Sequence, residues 1–247
     1  MTSGLPTVSH FLSNELMEPE DGAQHYTETL VRLPNVGFYY EPLPIEEVPV
    51  SRAELGLRPD AVAYFCCQSL FKYLPRYDDV FARIARGVPT AQFFFISRST
   101  PTDAIFRERM DRAFAGHGLR AEDHCVFSKT LPGPRFDAAI RVMDIFLDSL
   151  GWSGGNTTME SIAHDLPVVT SPGHTMRSRH TAAIMTMMGM SDCISASVDA
   201  YVERAIALGN DASMRAALRE RVAANKHQVL RDRAAITGLE EFLRSVA

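Results

Sequence analysis

From about Ala61 onward, short apolar runs alternate with segments of helical spacing. Nearly every residue in these runs is apolar, as in parallel strands that helices cover on both faces. We therefore predict strands at 61–67, 91–97, 124–129, 143–148, 167–171 and 192–197. Strand and helix repeated about six times predict an α/β domain over residues 61–212, with a doubly wound, mostly parallel, Rossmann-like sheet.

The regions on either side of this domain follow other patterns. Residues 1–60 combine a predicted helix, roughly 19–33, with a proline-spaced stretch that is typical of an extended connection. Residues 213–247 are rich in Ala, Arg, Leu and Glu, which predicts one or two amphipathic helices packed on the domain surface. We interpret the first region as a bridge into the domain and the last as its cover.

Composition narrows the possible function classes. Hydrophobic residues make up 46% of the chain and charged residues 22%, close to the average of soluble globular proteins. The net charge of −5 argues against broad nucleic-acid binding. We expect neither a membrane span nor a secretory signal, because no run is long and apolar enough and the N-terminus lacks the signal pattern. The four cysteines have no metal-type spacing, which favours reduced structural thiols in a cytoplasmic protein.

Residues 151–160 read GWSGGNTTME and directly follow a predicted strand. Gly154 and Gly155 allow a sharp turn, and Asn156 or Thr157 can cap the helix that follows. The free N–H groups and positive dipole end of that helix suit a diphosphate, and Glu160 could accept bonds from ribose hydroxyls. The alternative is a plain strand-to-helix turn in which Glu160 only complements the helix dipole.

A second candidate stretch, CCQSLFKYLPRYDDVF at 66–81, follows the first predicted strand. Gln68 and Lys72 therefore lie at the same carboxyl edge of the sheet, where a lysine can neutralise phosphate charge. The alternative is a solvated surface lysine.

A third candidate stretch, TSPGHTMRSRHTAA at 170–183, holds basic residues at another strand end. His174, Arg177, Arg179 and His180 could meet a sugar or a phosphate, or could belong to a surface loop whose arginines pair with nearby acids. The other histidines show no spacing of a metal site or a catalytic triad, and the motifs of hydrolases, P-loop NTPases and standard nicotinamide dehydrogenases do not occur.

Taken in order, three segments resemble the C-terminal catalytic lobe of O-linked N-acetylglucosamine transferases, in particular the bacterial SPINDLY-like members. They are QSLFKYLPRYDDVFARI, DIFLDSLGWSGGNTTMESIAHDLPVVTSPG and RSRHTAAIMTMMGM. The resemblance implies a GT-B fold, in which two Rossmann-like lobes face a cleft and the C-terminal lobe binds the nucleotide sugar. It covers nearly the whole chain, and ELMEPEDGAQHYTETLVRLPN resembles the bridge out of the family's first lobe.

The resemblance also implies roles for individual residues. Lys72 falls on the catalytic lysine that contacts the diphosphate, Glu160 on the acidic residue that binds the ribose, and Phe136 near the position that lies against uracil. The other implied donor-binding residues are Gln68, Gly154, Gly155, Asn156, Thr157 and Thr158. Family members often have His in place of Asn156, and the lysine that the animal enzymes place before the uracil-contacting residue is absent.

The function implied is the UDP-GlcNAc-binding lobe of an inverting glycosyltransferase that modifies proteins without a metal or other cofactor. The first lobe and the upstream repeats are not found in these 247 residues, so we expect the chain to be incomplete on its own, either as a fragment of a longer enzyme or as a split protein with a partner N-terminal lobe. The alternatives are a non-catalytic UDP-sugar-binding or interaction module that needs a partner chain, and a GT-B epimerase with the same lobe.

Overall fold

A five-stranded parallel sheet is the centre of the computed structural model, which describes residues 2–42, 44, 48–98 and 101–247. Its strand order is β5-β4-β3-β6-β7, and a separate two-stranded sheet joins β1 to β2. The strands are β1 (His10–Asn14), β2 (Thr29–Leu33), β3 (Val62–Cys66), β4 (Ala91–Ser97), β5 (Cys125–Lys129), β6 (Ile145–Leu147) and β7 (Val168–Val169). The predicted α/β class with a mostly parallel sheet is confirmed.

Helices connect these strands and cover both faces of the sheet. They are α1 (Asp79–Gly87), α2 (Pro101–Ala115), α3 (Ala121–His124), α4 (Gly133–Arg141), α5 (Asn156–Ala163), α6 (His180–Met187), α7 (Val198–Asn210), α8 (Ala212–Asn225) and α9 (Ala234–Val246). No helix in these described stretches is long and apolar enough to cross a membrane.

Strands β3, β4, β6 and β7 are apolar at nearly every position because helices cover the sheet and keep these residues from water. Every residue of β3, β4, β6 and β7 is buried. Aromatic rings fill the space around β4, where Phe95 packs against Tyr73, Phe81, Phe106 and Phe127. This close packing makes the sheet a rigid support for the residues at its carboxyl edge.

The strand order reverses between β3 and β6. From β3 the chain proceeds outward to β4 and β5, and it then returns to place β6 on the other side of β3. Ligands of doubly wound sheets bind beyond the carboxyl ends of the strands at such a reversal. The topology thus selects the residues that follow β3 and β6 as the candidate site.

The helix predicted over residues 19–33 is wrong. Gly22–His25 forms only a 3₁₀ turn, and the following residues form β2, which pairs in parallel with β1. The sequence TLVRL of β2 is rich in β-branched and leucine residues and stops at Pro34. Pairing with β1 therefore outweighed the helical spacing of the apolar residues.

The last predicted strand, at 192–197, is also wrong. Ser191–Cys193 forms a 3₁₀ turn, and a single bridge from Ile194 to Thr170 is the pairing found for the segment. Ser197 instead accepts a hydrogen bond from the Ala200 N–H and caps α7. The strand predicted at 167–171 is shorter than expected, at two residues.

The C-terminal helices are present as predicted. α8 packs beside α5 and α7, and α9 packs on β2. The boundaries proposed at residues 60 and 212 stay predictions, and part of the 1–60 segment (Met1, Leu43 and 45–47) lies outside the described residues.

Candidate functional site

The residues that follow β3 and β6 meet at the reversal of strand order. The Gln68 side-chain amide donates a hydrogen bond to Thr157 Oγ1, and Lys72 Nζ donates one to Gln68 Oε1 at 3.0 Å. Gln68 is 3% exposed, whereas Lys72 is half-buried. The structure thus brings Gln68, Lys72 and Thr157 together, as the sequence predicted for the two strand ends.

Gly155, and not a polar side chain, precedes the first residue of α5. The helix begins at Asn156 without a side-chain cap, so the predicted cap by Asn156 or Thr157 is wrong. An uncapped first turn leaves backbone N–H groups available to a ligand. Thr158 is fully buried, and its hydroxyl donates to the Gly154 carbonyl oxygen at 2.8 Å.

Gly154 is required by space and not by backbone angle. A Cβ at this position would lie 2.7 Å from Thr158 Oγ1, 2.8 Å from Gln68 Nε2 and 2.9 Å from Thr157 Oγ1. Such contacts are too short for real carbon atoms, so any side chain would push apart the residues that meet here. At Gly155 a Cβ would lie 3.3 Å from His180 Nδ1, which shows that the His180 ring lies against the start of α5.

The environment of Lys72 combines partial burial with aromatic and cationic neighbours. Its Nζ lies 5.5 Å from the centre of the Trp152 ring, and the Arg177 guanidinium lies 5.0 Å from the same ring. Burial lowers the pKa of Lys72, and the nearby Asp148 carboxylate opposes that shift. Burial, with a smaller contribution from Lys72, lowers the pKa of His180 and so favours a neutral ring beside the lysine.

The basic loop after β7 reaches this site only in part. Arg177 is exposed and lies over Trp152, and its carbonyl oxygen accepts the Ser153 N–H at 2.9 Å. Arg179 donates to the Gly173 carbonyl oxygen at 3.2 Å and so supports its own loop, and His174 is exposed. His180, the fourth basic residue that the sequence shows in this stretch, lies against Gly155 at the start of α5.

Glu160 lies one turn into α5, half-buried beside other acidic and polar groups. Its Oε1 accepts a hydrogen bond from Asn156 Nδ2 at 2.7 Å. Burial and the Asp137 carboxylate raise the pKa of Glu160 to about 7, and the Asn156 amide opposes the shift. Burial, Glu160 and Asp137 together raise the pKa of Tyr40, which places these three side chains in one neighbourhood.

Phe136, on α4, is half-buried and packs its ring 5.6 Å from that of Phe65, centre to centre. Phe65 is fully buried in β3. This contact anchors Phe136 on the domain core, and its position against a base stays a prediction.

The sequence did not single out Asp148, the first residue after β6. Its carboxylate is 2% exposed and accepts hydrogen bonds from the Gly154 N–H, the Ser153 hydroxyl and the Thr170 hydroxyl, each at 2.7 Å. The only sequence signal was an acidic residue at the end of an apolar run, DIFLD. In the described parts of the chain, no group of three His, Cys, Asp or Glu side chains could hold a metal ion.

The chain is similar to known proteins in both sequence and fold. Residues 39–232 match the sequence model of Glycosyl transferase family 41. Two similar proteins are described as probable UDP-N-acetylglucosamine–peptide N-acetylglucosaminyltransferases SPINDLY. The one from Solanum lycopersicum is 30% identical over 223 residues, and the one from Arabidopsis thaliana is 29% identical over 218 residues.

These matches cover most of this chain but little of the relatives. They span 89% and 88% of the chain, and 24% of each SPINDLY protein, so the chain spans about a quarter of their length. Among solved structures, an O-GlcNAc transferase from Thermobaculum terrenum superposes with a TM-score of 0.78 at 24% identity, over 99% of this chain and 46% of that one. The fold is therefore that of the C-terminal lobe of a GT-B protein.

Proposed function

The chain belongs to glycosyl transferase family 41, and we propose that its α/β domain binds the donor, UDP-GlcNAc, of an inverting protein O-GlcNAc-type glycosyltransferase. The observation that carries the proposal is the hydrogen-bonded chain from Lys72 through Gln68 to Thr157 at the uncapped start of α5. A lysine and a free helix N-terminus at one strand-order reversal form a site for a diphosphate. The names of the SPINDLY relatives support a UDP-linked N-acetylglucosamine as the group it carries.

In the complete enzyme these groups would act on the leaving group. A serine or threonine hydroxyl of a protein acceptor would attack the anomeric carbon and lose its proton to a base on the acceptor side, while the bond from that carbon to the diphosphate breaks on the opposite face. Negative charge then develops on the departing UDP, where Lys72 and the N–H groups of α5 would stabilise it without a metal ion. Glu160 would accept hydrogen bonds from the ribose hydroxyls, and Phe136 would lie near the base.

The acceptor side of the cleft is expected on a partner N-terminal lobe. The chain matches 46% of the Thermobaculum terrenum protein, which is consistent with one lobe of a two-lobe fold. We therefore propose a protein acceptor and a partner lobe for the complete reaction. Four buried free cysteines fit a reducing compartment, and we propose the cytoplasm.

Calorimetric titration with UDP tests donor binding. Lys72→Ala and Glu160→Ala should each weaken UDP binding about tenfold or more, because each removes a hydrogen bond that involves a charged group. Lys129→Ala is the matched control, since Lys129 is an exposed lysine at the end of β5, two strands from β3. Wild-type binding no tighter than that of Lys72→Ala or Glu160→Ala would contradict the proposal.

A second candidate function is a UDP-sugar-binding module that needs a partner chain, since the donor-site contacts of Lys72, Gln68 and Thr157 suit binding without themselves supplying an acceptor site. Hydrolysis of UDP-GlcNAc and transfer to a peptide should be measured on this chain alone, and then after addition of a separately produced first lobe. Activity that appears only with the added lobe supports the two-lobe transferase. UDP binding without activity in either assay supports the binding module.

A further inference from the structure

Asp148 lies where four parts of the fold meet. Its carboxylate accepts the Gly154 N–H at Oδ1 and the hydroxyls of Ser153 and Thr170 at Oδ2, and its backbone oxygen accepts the Tyr201 hydroxyl at 2.6 Å. Asp148 itself directly follows β6, and these donors come from the Ser153–Gly154 loop, from the residue after β7 and from α7. A side chain that is 2% exposed and holds three donors is a fixed point of the site.

The contacts continue from Asp148 to the start of α5. The Gly154 carbonyl oxygen accepts the hydroxyls of Thr158 and Thr181, at 2.8 and 3.1 Å. The Ser153 hydroxyl accepts the Thr181 N–H at 2.9 Å, so the first residues of α5 and α6 are tied to one loop. A Cβ at Gly154 would lie within 3 Å of both Gln68 Nε2 and Thr157 Oγ1, so the backbone of this loop lies directly against the Gln68–Thr157 hydrogen bond.

Asp148 also acts through its charge. Burial lowers the pKa of Lys72. Among the groups that raise this pKa, the Asp148 carboxylate has the largest effect. Burial raises the pKa of Asp148 itself, whereas its hydrogen bonds from Gly154, Thr170 and Ser153 favour the carboxylate. The other basic group near Lys72, His180, has its pKa lowered by burial and then by Lys72.

We propose that Asp148 is a positioning residue for the donor's diphosphate: it holds Ser153 and Gly154 in place and through them the first turn of α5, without itself touching the ligand. Its carboxylate oxygens are enclosed by the loop and the end of β7. The inference rests on the proposed donor site. Asp148 would not contact the ligand, but it would hold in place the start of α5, which does.

Trp152 provides a direct readout of the loop. It is the only tryptophan of the chain and lies between Asp148 and Gly154, with its backbone oxygen accepting the Ser149 hydroxyl at 2.6 Å. Its ring contacts Phe71, with ring centres 5.6 Å apart, and faces Lys72 and Arg177. The fluorescence of Trp152 therefore changes when the loop that carries it moves relative to Phe71 and Lys72.

Asp148→Asn is the test variant, because it keeps the shape of the side chain and replaces one acceptor oxygen by an NH2 group, which can only donate. Asp144→Asn is the matched control at the other end of β6, where Asp144 accepts the Ala63 N–H at 2.7 Å and the Arg52 guanidinium at 2.8 Å. Both variants lose a carboxylate that anchors β6, and only one of them borders the loop.

In the folded Asp148→Asn protein we expect a changed Trp152 emission maximum, greater quenching by acrylamide and UDP binding at least tenfold weaker by calorimetry. Asp144→Asn should keep the wild-type fluorescence and UDP affinity, even where its urea midpoint falls. If Asp148→Asn does not fold, Thr170→Val, which removes one donor to Oδ2, should show the same changes to a smaller extent.

The outcomes separate this inference from the proposed function. Wild-type protein that binds UDP, together with Asp148→Asn that binds it equally and keeps the wild-type emission, overturns the positioning role alone. If the wild-type protein binds no UDP, the proposed function and the diphosphate role both fail. The fluorescence comparison of Asp148→Asn with Asp144→Asn still decides whether Asp148 positions the loop.

Discussion

Glu160 is the residue whose protonation the site disturbs most near neutral pH. Burial and Asp137 disfavour its carboxylate, so its pKa rises from 4.5 to about 7. Between these two values the folded protein binds more protons than the unfolded chain, and stability therefore falls as pH rises. The contribution of Glu160 is fully present below about pH 4.5 and is lost as pH rises through about 7.

Glu160→Gln should therefore make the protein more stable than wild type at pH 8 and leave its stability nearly unchanged at pH 4.5. Each pKa unit corresponds to about 1.4 kcal/mol, and solvent screening of this half-buried group reduces the expected gain at pH 8 to about 1 kcal/mol. Urea unfolding at the two pH values measures it. Glu241→Gln, at an exposed position on α9, is the control, and an equal pH dependence in Glu160→Gln and wild type would contradict the prediction.

Among the elements, α9 and β2 show how a contact can override local propensity. Gly238 lies within α9, and a Cβ added there would lie 2.4 Å from Pro34 Cδ, just after β2. Glycine is a poor helix former, so its presence is explained by the close approach of the helix to the Pro34 ring.

Gly238→Ala should destabilise the protein by about 1–3 kcal/mol, although alanine favours a helix, because the methyl group overpacks the contact with Pro34. Thr237→Ala is the control, since Thr237 is exposed and its replacement improves helix propensity without a clash. Thermal unfolding compares the two variants. A Gly238→Ala protein as stable as the control would show that α9 does not depend on this contact.

The reactivity of the four cysteines depends on whether the core of the molecule is closed. All four thiols are free and buried on or beside the sheet. Burial raises the pKa of each: that of Cys193 to about 11, and those of Cys66, Cys67 and Cys125 further. Because the thiolate is the reactive form, the folded protein holds these groups in an unreactive state.

Ellman's reagent at pH 8 should therefore label none of the four thiols in the folded protein within minutes, and all four in urea. The slow labelling rate in buffer should follow the opening of the core, so it should rise with urea concentration. Immediate labelling of one thiol in buffer would contradict the expectation that all four belong to the closed core.

The sequence predicted those elements whose residue pattern is visible within the element itself. The apolar runs placed β3, β4, β5 and β6 within one or two residues, because a strand covered on both faces needs apolar side chains at nearly every position. Residues 19–33 were misassigned, because helical spacing and a short strand are hard to distinguish without knowing the partner strand.

The α/β class and the stretches that follow strand ends can be predicted from the amino-acid sequence, because they depend on periodicity within a few residues. Which of those stretches meet depends on the folded arrangement of the strands. Gln68 and Thr157 are 89 positions apart and touch because β6 returns to lie beside β3. Asp148 joins Gly154 to Thr170 for the same reason: strand order, set by packing of the whole sheet, brings distant hydrogen-bonding groups into contact.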